Sequence, residues 1–348
     1  MSCPVPFSNH QTVQLAHGGG GRTMRRLLEG LLLPTFRDRG EKEGAPEAPH
    51  DSSVLDINGQ RIAFTTDSFV VSPLFFPGGD IGKLAVYGTV NDLAMAGAKP
   101  LYLSCGLILE EGVPLETLRR VVESMREAAR EAEVEIVTGD TKVVDRGKGD
   151  GIFINTAGIG IVPKGIVVHP SRVAPGDRIL VSGDIGRHGI AIMSLREGLE
   201  FEGAPESDCA MLSDLVRNLT DIGTDLHCLR DLTRGGLAAA LIEIADHADV
   251  GIDLREPAIP VSPPVGGICE LLGLDPLFAA NEGRMVAIVA PEAVDQAMRI
   301  MADHPAAHSP TAIGNVTANH PKEVELRNSF GSGRLLDLPA GEQMPRIC

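Results

Sequence analysis

The chain has 348 residues, 43% of them hydrophobic but only 3% aromatic and none tryptophan. That length suggests about two domains, with cores built from aliphatic side chains. A net charge of −16 argues against nucleic acid as the main partner, because phosphate backbones are held by basic faces. A polyphosphate ligand would need divalent cations to bridge it to the carboxylates. There is no apolar run of membrane-spanning length, and no basic leader followed by an apolar stretch, so a cytoplasmic protein without membrane attachment is expected. Six scattered cysteines without a CxxC spacing suggest neither a zinc site nor a disulfide framework.

Along the chain, a polar start of about 14 residues leads into LAHGGGG and an amphipathic helix from Arg22 to Leu33. The charged, Pro/Gly-rich stretch 38–50 reads as an exposed loop. Strands at Ser53–Ile57 and Arg61–Thr66, a helix at Ile81–Ala96 and a strand at Leu101–Leu109 follow. Leu115–Ala132 is the clearest amphipathic helix, with Leu115, Leu118, Val122, Met125 and Ala129 on its apolar stripe. Strands at Val134–Thr138 and Ile152–Val162 complete a first domain, 1–163.

A second domain, 164–338, starts after a Pro/Gly break and has strands near 178–182, 225–229, 251–254, 284–289, 312–316 and 323–327. Helices are expected at 189–198, 209–219, 235–248 and 291–303. Strands outnumber helices and do not alternate strictly with them, so the fold class is α+β: two layered domains rather than one doubly wound sheet. Residues 339–348, PAGEQMPRIC, read as a mobile tail that reaches about 30 Å when extended.

Gly18, Gly19, Gly20 and Gly21 before a helix can present backbone N–H groups to an anion, although a flexible loop would look the same. Asp51, Asp67, Asp92, Asp140 and Asp231 each follow or interrupt an apolar element, where aspartate is rarely placed without a partner. Each alone fits a cap or turn. The set points to hard cations such as Mg2+. Lys142 reads either as a phosphate contact or acid–base group beside Asp140, or as a surface lysine. Arg234 and Gly235 open a helix and could meet phosphate. Glu282 is a candidate base or a turn carboxylate, and His188 a capping or packing residue. Cys348 is terminal, and termini usually tolerate change. Pro345 stiffens its approach and Arg346 favours a thiolate, which raises a functional reading without deciding it.

These segments, with the block AFTTDSFVVSPLFFPGGDIGKLAVYGTVNDLAMAGAKPLYLSCG, VTGDTKVV, INTAGIG, DLTRGG, ANEGR and the ending PRIC, resemble the HypE family of hydrogenase maturation factors. The likeness covers nearly the whole chain. The wider superfamily includes aminoimidazole ribonucleotide synthetase and selenophosphate synthetase. The resemblance implies two α+β domains, a homodimer through the first domain's sheet, and MgATP between the domains. It implies Lys83 and Asn91 as further nucleotide contacts, with Asp140 serving both nucleotide and metal. It also implies the reaction: a carbamoyltransferase, HypF, loads a carboxamide on Cys348. ATP-dependent dehydration then yields a thiocyanate, and the cyanide passes to a HypC–HypD scaffold for the nickel–iron centre. One departure stands out. Where the superfamily often has two adjacent acidic residues this chain has His50-Asp51, which leaves one metal ligand, or a substitute in His50 or water, in question.

Overall fold

The computed structural model describes residues 12–36, 50–198, 203–339, 344, 347 and 348. Cys3, most of the expected 38–50 loop, and Pro345 and Arg346 lie outside the described residues. Helix from Arg22 to Phe36 is built of α1 (Arg22–Leu27), a π-helical turn (Leu28–Leu32) and α2 (Leu33–Phe36).

The first sheet contains β1 (Ser53–Ile57), β2 (Gln60–Phe69), β5 (Lys99–Glu110), β6 (Glu135–Val144) and β7 (Ile152–Ile161). The small hairpin β3 (Phe75–Phe76) and β4 (Gly79–Asp80) stands apart from it. The strand order is β1-β2-β7-β5-β6. β1 and β2 join through Asn58-Gly59, both at positive φ, the pairing that a tight two-residue hairpin turn favours. β5 and β6 run parallel, because α4 (Leu115–Glu131) carries the chain back between them.

α4 buries Val121, Met125, Ala128 and Ala129, whereas Leu115 and Val122 are exposed. The expected stripe is therefore rotated: the i, i+4, i+7, i+8 set starting at Val121 faces the core, because that side meets α3 (Ile81–Met95). α3 is apolar all round, as a helix covered on every side must be. It packs on β2, β5 and β7, and also meets the second half of the chain. Only Lys83 and Asp92 of its fifteen residues escape full burial.

The second sheet has the order β14-β13-β10-β12-β8-β11-β9. Its strands are β8 (Arg178–Val181), β9 (Leu226–Asp231), β10 (Gly251–Arg255), β11 (Met285–Val289), β12 (Thr311–Thr317), β13 (Val324–Arg327) and β14 (Gly333–Leu336). Neighbours are antiparallel except β10 and β13. Helices α5 (Arg187–Arg196), α6 (Ser213–Leu219), α7 (Gly236–Ala248), α8 (Pro263–Leu272) and α9 (Val294–Ala302) cover it. β3, β4, β14 and α8 were not expected from the sequence. α8 opens with Pro-Pro and contains Gly266-Gly267, residues that signal a loop, although Pro is also well placed in a first helical turn. The fold is α+β in two layered halves, as the strand-rich pattern implied.

One apolar cluster joins α3 and α4 residues to Ile190, Ala279 and Ala280 of the second half and to Met344, Ile347 and Cys348. α3 meets β9 and α6 on its other side. The segments that carry chemistry therefore converge where β2, α3, β9 and the chain terminus meet.

Candidate active site

Three aspartates come together from three elements. Asp51 precedes β1, Asp92 is the polar break in α3, and Asp231 ends β9. Their carboxylate oxygens lie within 4.8 Å of one another. Arg230 pairs with Asp51 at 2.7 Å and with Glu243 at 2.5 Å. The Thr65 hydroxyl lies 2.8 Å from Asp92 Oδ2. Burial, with mutual repulsion behind it, pushes Asp92 well above the usual carboxylate range. Asp51 is also raised by burial, against the pull of Arg230. Asp231 rises to about 6, again through burial, with Arg230 opposing. Asp51 Oδ2 is buried without a hydrogen-bond donor. Among these groups there is more negative charge than one guanidinium balances.

Two cavities meet here. One, of about 300 Å³, is lined by Gly20, Gly21, Asp51, Asp92, Arg230 and Arg234. The other, of about 470 Å³, is lined by Gly18, Gly19, Asn155, Gly235, Ile347 and Cys348. Asp67 and Arg234 line both, and their 3.4 Å ion pair stands between them. Gly20 adopts φ +73°, and a Cβ there would lie 3.0 Å from the Arg234 carbonyl group, so a side chain would wedge the glycine loop off Arg234.

The chain terminus is docked inside. Cys348 is 7% exposed. Arg234 Nη1 donates to its sulfur at 3.4 Å, and a Cys348 backbone oxygen accepts from Val70 N–H at 3.0 Å. Burial pushes the thiol up to about 12, against the pull of Arg234, so the docked thiol is protonated at neutral pH. Glu282 is buried, and its Oε1 has no donor. Burial, then the charges of Asp231, Asp67 and Asp208, raise its carboxyl well above the ordinary range, and its charge acts on Cys348. Asp208 fixes Glu282 by accepting from the backbone N–H groups of Glu282 and Gly283.

Not every expected residue arrives. Asp140 and Lys142 lie on the edge strand β6, about 70% exposed and paired with each other at 3.1 Å. They line a separate hollow of about 440 Å³, whose wall includes Ser68, Val70 and Asn155, three residues that also line the Cys348 cavity. Within one chain Asp140 is therefore absent from the carboxylate cluster, because β6 is the outermost strand. Asn91 is fully enclosed: its amide donates to Ala210 O at 3.0 Å and accepts from Leu212 N–H at 2.8 Å, tying α3 to the approach to α6. Lys83 sits in the first turn of α3 above the Asp80 cap, where its charge acts on Cys209. His50 Nδ1 accepts from Asp51 N–H, and the ring stacks on His169 at 5.9 Å, so it stands beside the three-carboxylate cluster and not in it.

Sequence reasoning missed Arg230, Thr65, Asn155 and Asp208. Arg230 was adjacent to a chosen aspartate and at the end of the same strand, a usable signal. Asp208 sits in an aperiodic segment that gives none.

Residues 49–162 match the family AIR synthase related protein, N-terminal domain, and residues 174–327 match AIR synthase related protein, C-terminal domain. The chain is 52% identical over 337 residues to carbamoyl dehydratase HypE of Bradyrhizobium diazoefficiens, covering 97% of this chain and 96% of that one. A solved HypE–HypF complex contains a chain that matches with a TM-score of 0.83 and 46% identity, over 89% of this chain and 99% of that one. HypE solved with ATP matches with a TM-score of 0.80 and 45% identity, over 97% and 100%. Similarity at this level along essentially the whole chain, on a fold whose terminal cysteine is seated beside a buried carboxylate cluster, shows that the chain belongs to the HypE family of carbamoyl dehydratases.

Proposed function

We propose that this chain uses ATP to dehydrate an S-carboxamide carried on its own Cys348 to an S-cyanide, supplying the cyanide ligand for nickel–iron hydrogenase assembly. The observation that carries the reading is the seating of the Cys348 thiol against Arg234, which separates it from the carboxylate-lined cavity. A phosphoryl donor held in one cavity then faces an acceptor held in the other.

The bonds balance as follows. The carboxamide oxygen attacks the γ-phosphorus, ADP leaves, and one N–H proton is lost. The C–O bond then breaks, phosphate leaves and the second N–H proton is lost, giving S–C≡N. A buried carboxyl with a raised pKa suits a general base, since it takes up a proton more readily than an ordinary carboxylate. Glu282 fills that role here. Arg234, held by Asp67, keeps its donors on the sulfur and orients the carboxamide. Gly18–Gly21 and Gly235 would line the phosphates.

Three crowded carboxylates with one oxygen lacking a donor fit a hard divalent cation, which prefers oxygen ligands. Asp51, Asp92 and Asp231 would hold Mg2+, with Asp67 adjacent. When bound, the ion neutralises phosphate charge. The superfamily's second acidic position is taken here by His50, which stands beside the three aspartates.

HypF would load Cys348, and a HypC–HypD scaffold would receive the cyanide. Homodimerisation would use the outer face of the first sheet, where Leu55, Phe64, Tyr102, Ile159 and Ile161 are exposed on one side; apolar groups gathered on one face mark an interface. Asp140 and Lys142 of β6 pair with Gly106 and Ile108 of β5 on that face. No helix among the described residues is long and apolar enough to cross a membrane, and the reaction is assigned to the cytoplasm.

The test is mass spectrometry of the C-terminal peptide after incubation with HypF, carbamoyl phosphate and MgATP. A carboxamide on Cys348 that loses one water, and does so in wild type but not in Glu282→Gln, supports the reading. A carboxamide that persists unchanged in active wild type refutes it.

A further inference from the structure

The terminus is held by more than its thiol. His188, in the first turn of α5, is completely buried. Its Nε2 lies 2.6 Å from the Ile347 carbonyl and its Nδ1 2.8 Å from Ser207 Oγ. Ser207 Oγ accepts from Cys209 N–H at 3.1 Å, so its one hydroxyl proton is directed to His188 Nδ1. A carbonyl can only accept. The chain of donors therefore runs Cys209 N–H, Ser207 O–H, His188 Nε2–H, Ile347 C=O, and it selects a single neutral tautomer. The ring is further fixed by the edge-on contact with Phe76 at 5.5 Å, and its own backbone N–H donates to Asp208.

Asp208 is the same carboxylate that holds the Glu282 backbone. One residue thus sets both the general base and the ring that grips the terminus. Beside the ring, a Cβ on Gly189 would lie 2.8 Å from Met344 Sδ, so the bare glycine leaves the notch that Met344 fills. None of these groups belongs to the carboxylate cluster or the glycine loop.

We propose that His188 is a positioning residue for the terminal substrate: its Nε2–H holds the Ile347 carbonyl, and so sets the Cys348 sulfur against Arg234. Without it, Val70 and Arg234 remain as contacts at the last residue, and the terminus spends more time outside the cavity. The consequence for turnover rests on the dehydration reading; the consequence for docking does not.

The experiment is alkylation of Cys348 by iodoacetamide in the full-length protein, without ATP or partner, followed on the C-terminal peptide. Burial raises the thiol pKa and shields the sulfur together, so the labelling rate reports the undocked fraction. His188→Ala is expected to label Cys348 about tenfold faster, the ratio that loss of one net hydrogen bond supports. Ser207→Ala, which frees the tautomer but keeps the ring, should give a smaller increase, and His188→Gln, which restores a donor, should recover part of the protection. The labelling rate of Cys105 serves as a folding control. Equal Cys348 rates in wild type and His188→Ala, with Cys105 unchanged, would overturn the latch. Should His188→Ala not fold, Ser207→Ala decides by the same comparison. In the coupled assay, His188→Ala should still accept the carboxamide and dehydrate it more slowly. Undiminished dehydration would overturn the positioning role. Absence of dehydration in wild type would count against the function above and leave the labelling result standing.

Discussion

Asp231→Asn should stabilise the ligand-free protein while disabling it. The Asp231 carboxyl is raised from 3.8 to about 6, because burial and repulsion from Asp67 outweigh the attraction of Arg230 and Arg234. Each pH unit is about 1.36 kcal/mol, so keeping this group ionised at pH 7.5 costs the folded state about 3 kcal/mol. The sign follows from proton binding. The folded carboxyl holds its proton more tightly than the unfolded one, so stability is lost as pH rises from about 4 to about 6 and the penalty is constant above that. Asparagine has nearly the same shape without the charge, and it keeps an oxygen for the Thr233 hydroxyl, 3.3 Å away. At about 2.1 cal/mol/K per residue, the unfolding entropy of 348 residues is about 0.7 kcal/mol/K, so the variant should melt about 4 °C higher. The assay is thermal unfolding in EDTA at pH 7.5 and near pH 4, where the difference should nearly vanish. Added Mg2+ should raise the wild-type midpoint more than the variant's. A variant no more stable than wild type in EDTA at pH 7.5, or a gap that persists unchanged at pH 4, would refute the charge-crowding argument.

Other outcomes follow from the same geometry. Cys348→Ala should form no thiocyanate yet bind nucleotide nearly as wild type does, checked by product mass and by calorimetric titration with ATP. Arg230→Met leaves the buried Asp51 without its cation and the partly exposed Glu243 without its partner, a loss of about 3–5 kcal/mol for the broken buried pair, and urea unfolding should show it. Adding Asp51→Asn to that variant should return part of the loss. Tyr102→Glu places a charge on the exposed apolar face of the first sheet and should shift the protein toward monomer in sedimentation, with little change in melting temperature.

The sequence made most strands and helices readable because their apolar periods are clean. The error in α4 was one of phase: Leu115 and Val122 are apolar, but the turn that meets α3 carries Val121 and Ala128 instead. The adjacent apolar pairs Val121-Val122 and Ala128-Ala129 offer two plausible stripes, and only the neighbour decides. For the site, aspartates placed against apolar runs pointed to Asp51, Asp92 and Asp231, and the fold brings these three carboxylates together. The same signal at Asp140 led to an exposed strand edge, because strand order, which sets what lies outermost, is not written in local pattern. Asn91, a nucleotide contact by resemblance, is enclosed with its amide bonded to Ala210 and Leu212. His188 was read as a packing residue, and it does pack; what it grips, 159 positions along the chain, was invisible until the terminus was in place.

A substrate attached to the catalyst by its own backbone has no concentration to vary. With Cys348 already inside the cavity, the rate for a loaded molecule is the docked fraction multiplied by the rate of the chemical step. Saturation curves can exist only for the nucleotide. Each molecule also carries one reacting group, so a second turnover waits until the first product has been taken from the terminus and a new carboxamide installed. On the proposed reaction, throughput would then belong to the partners that load and unload the sulfur.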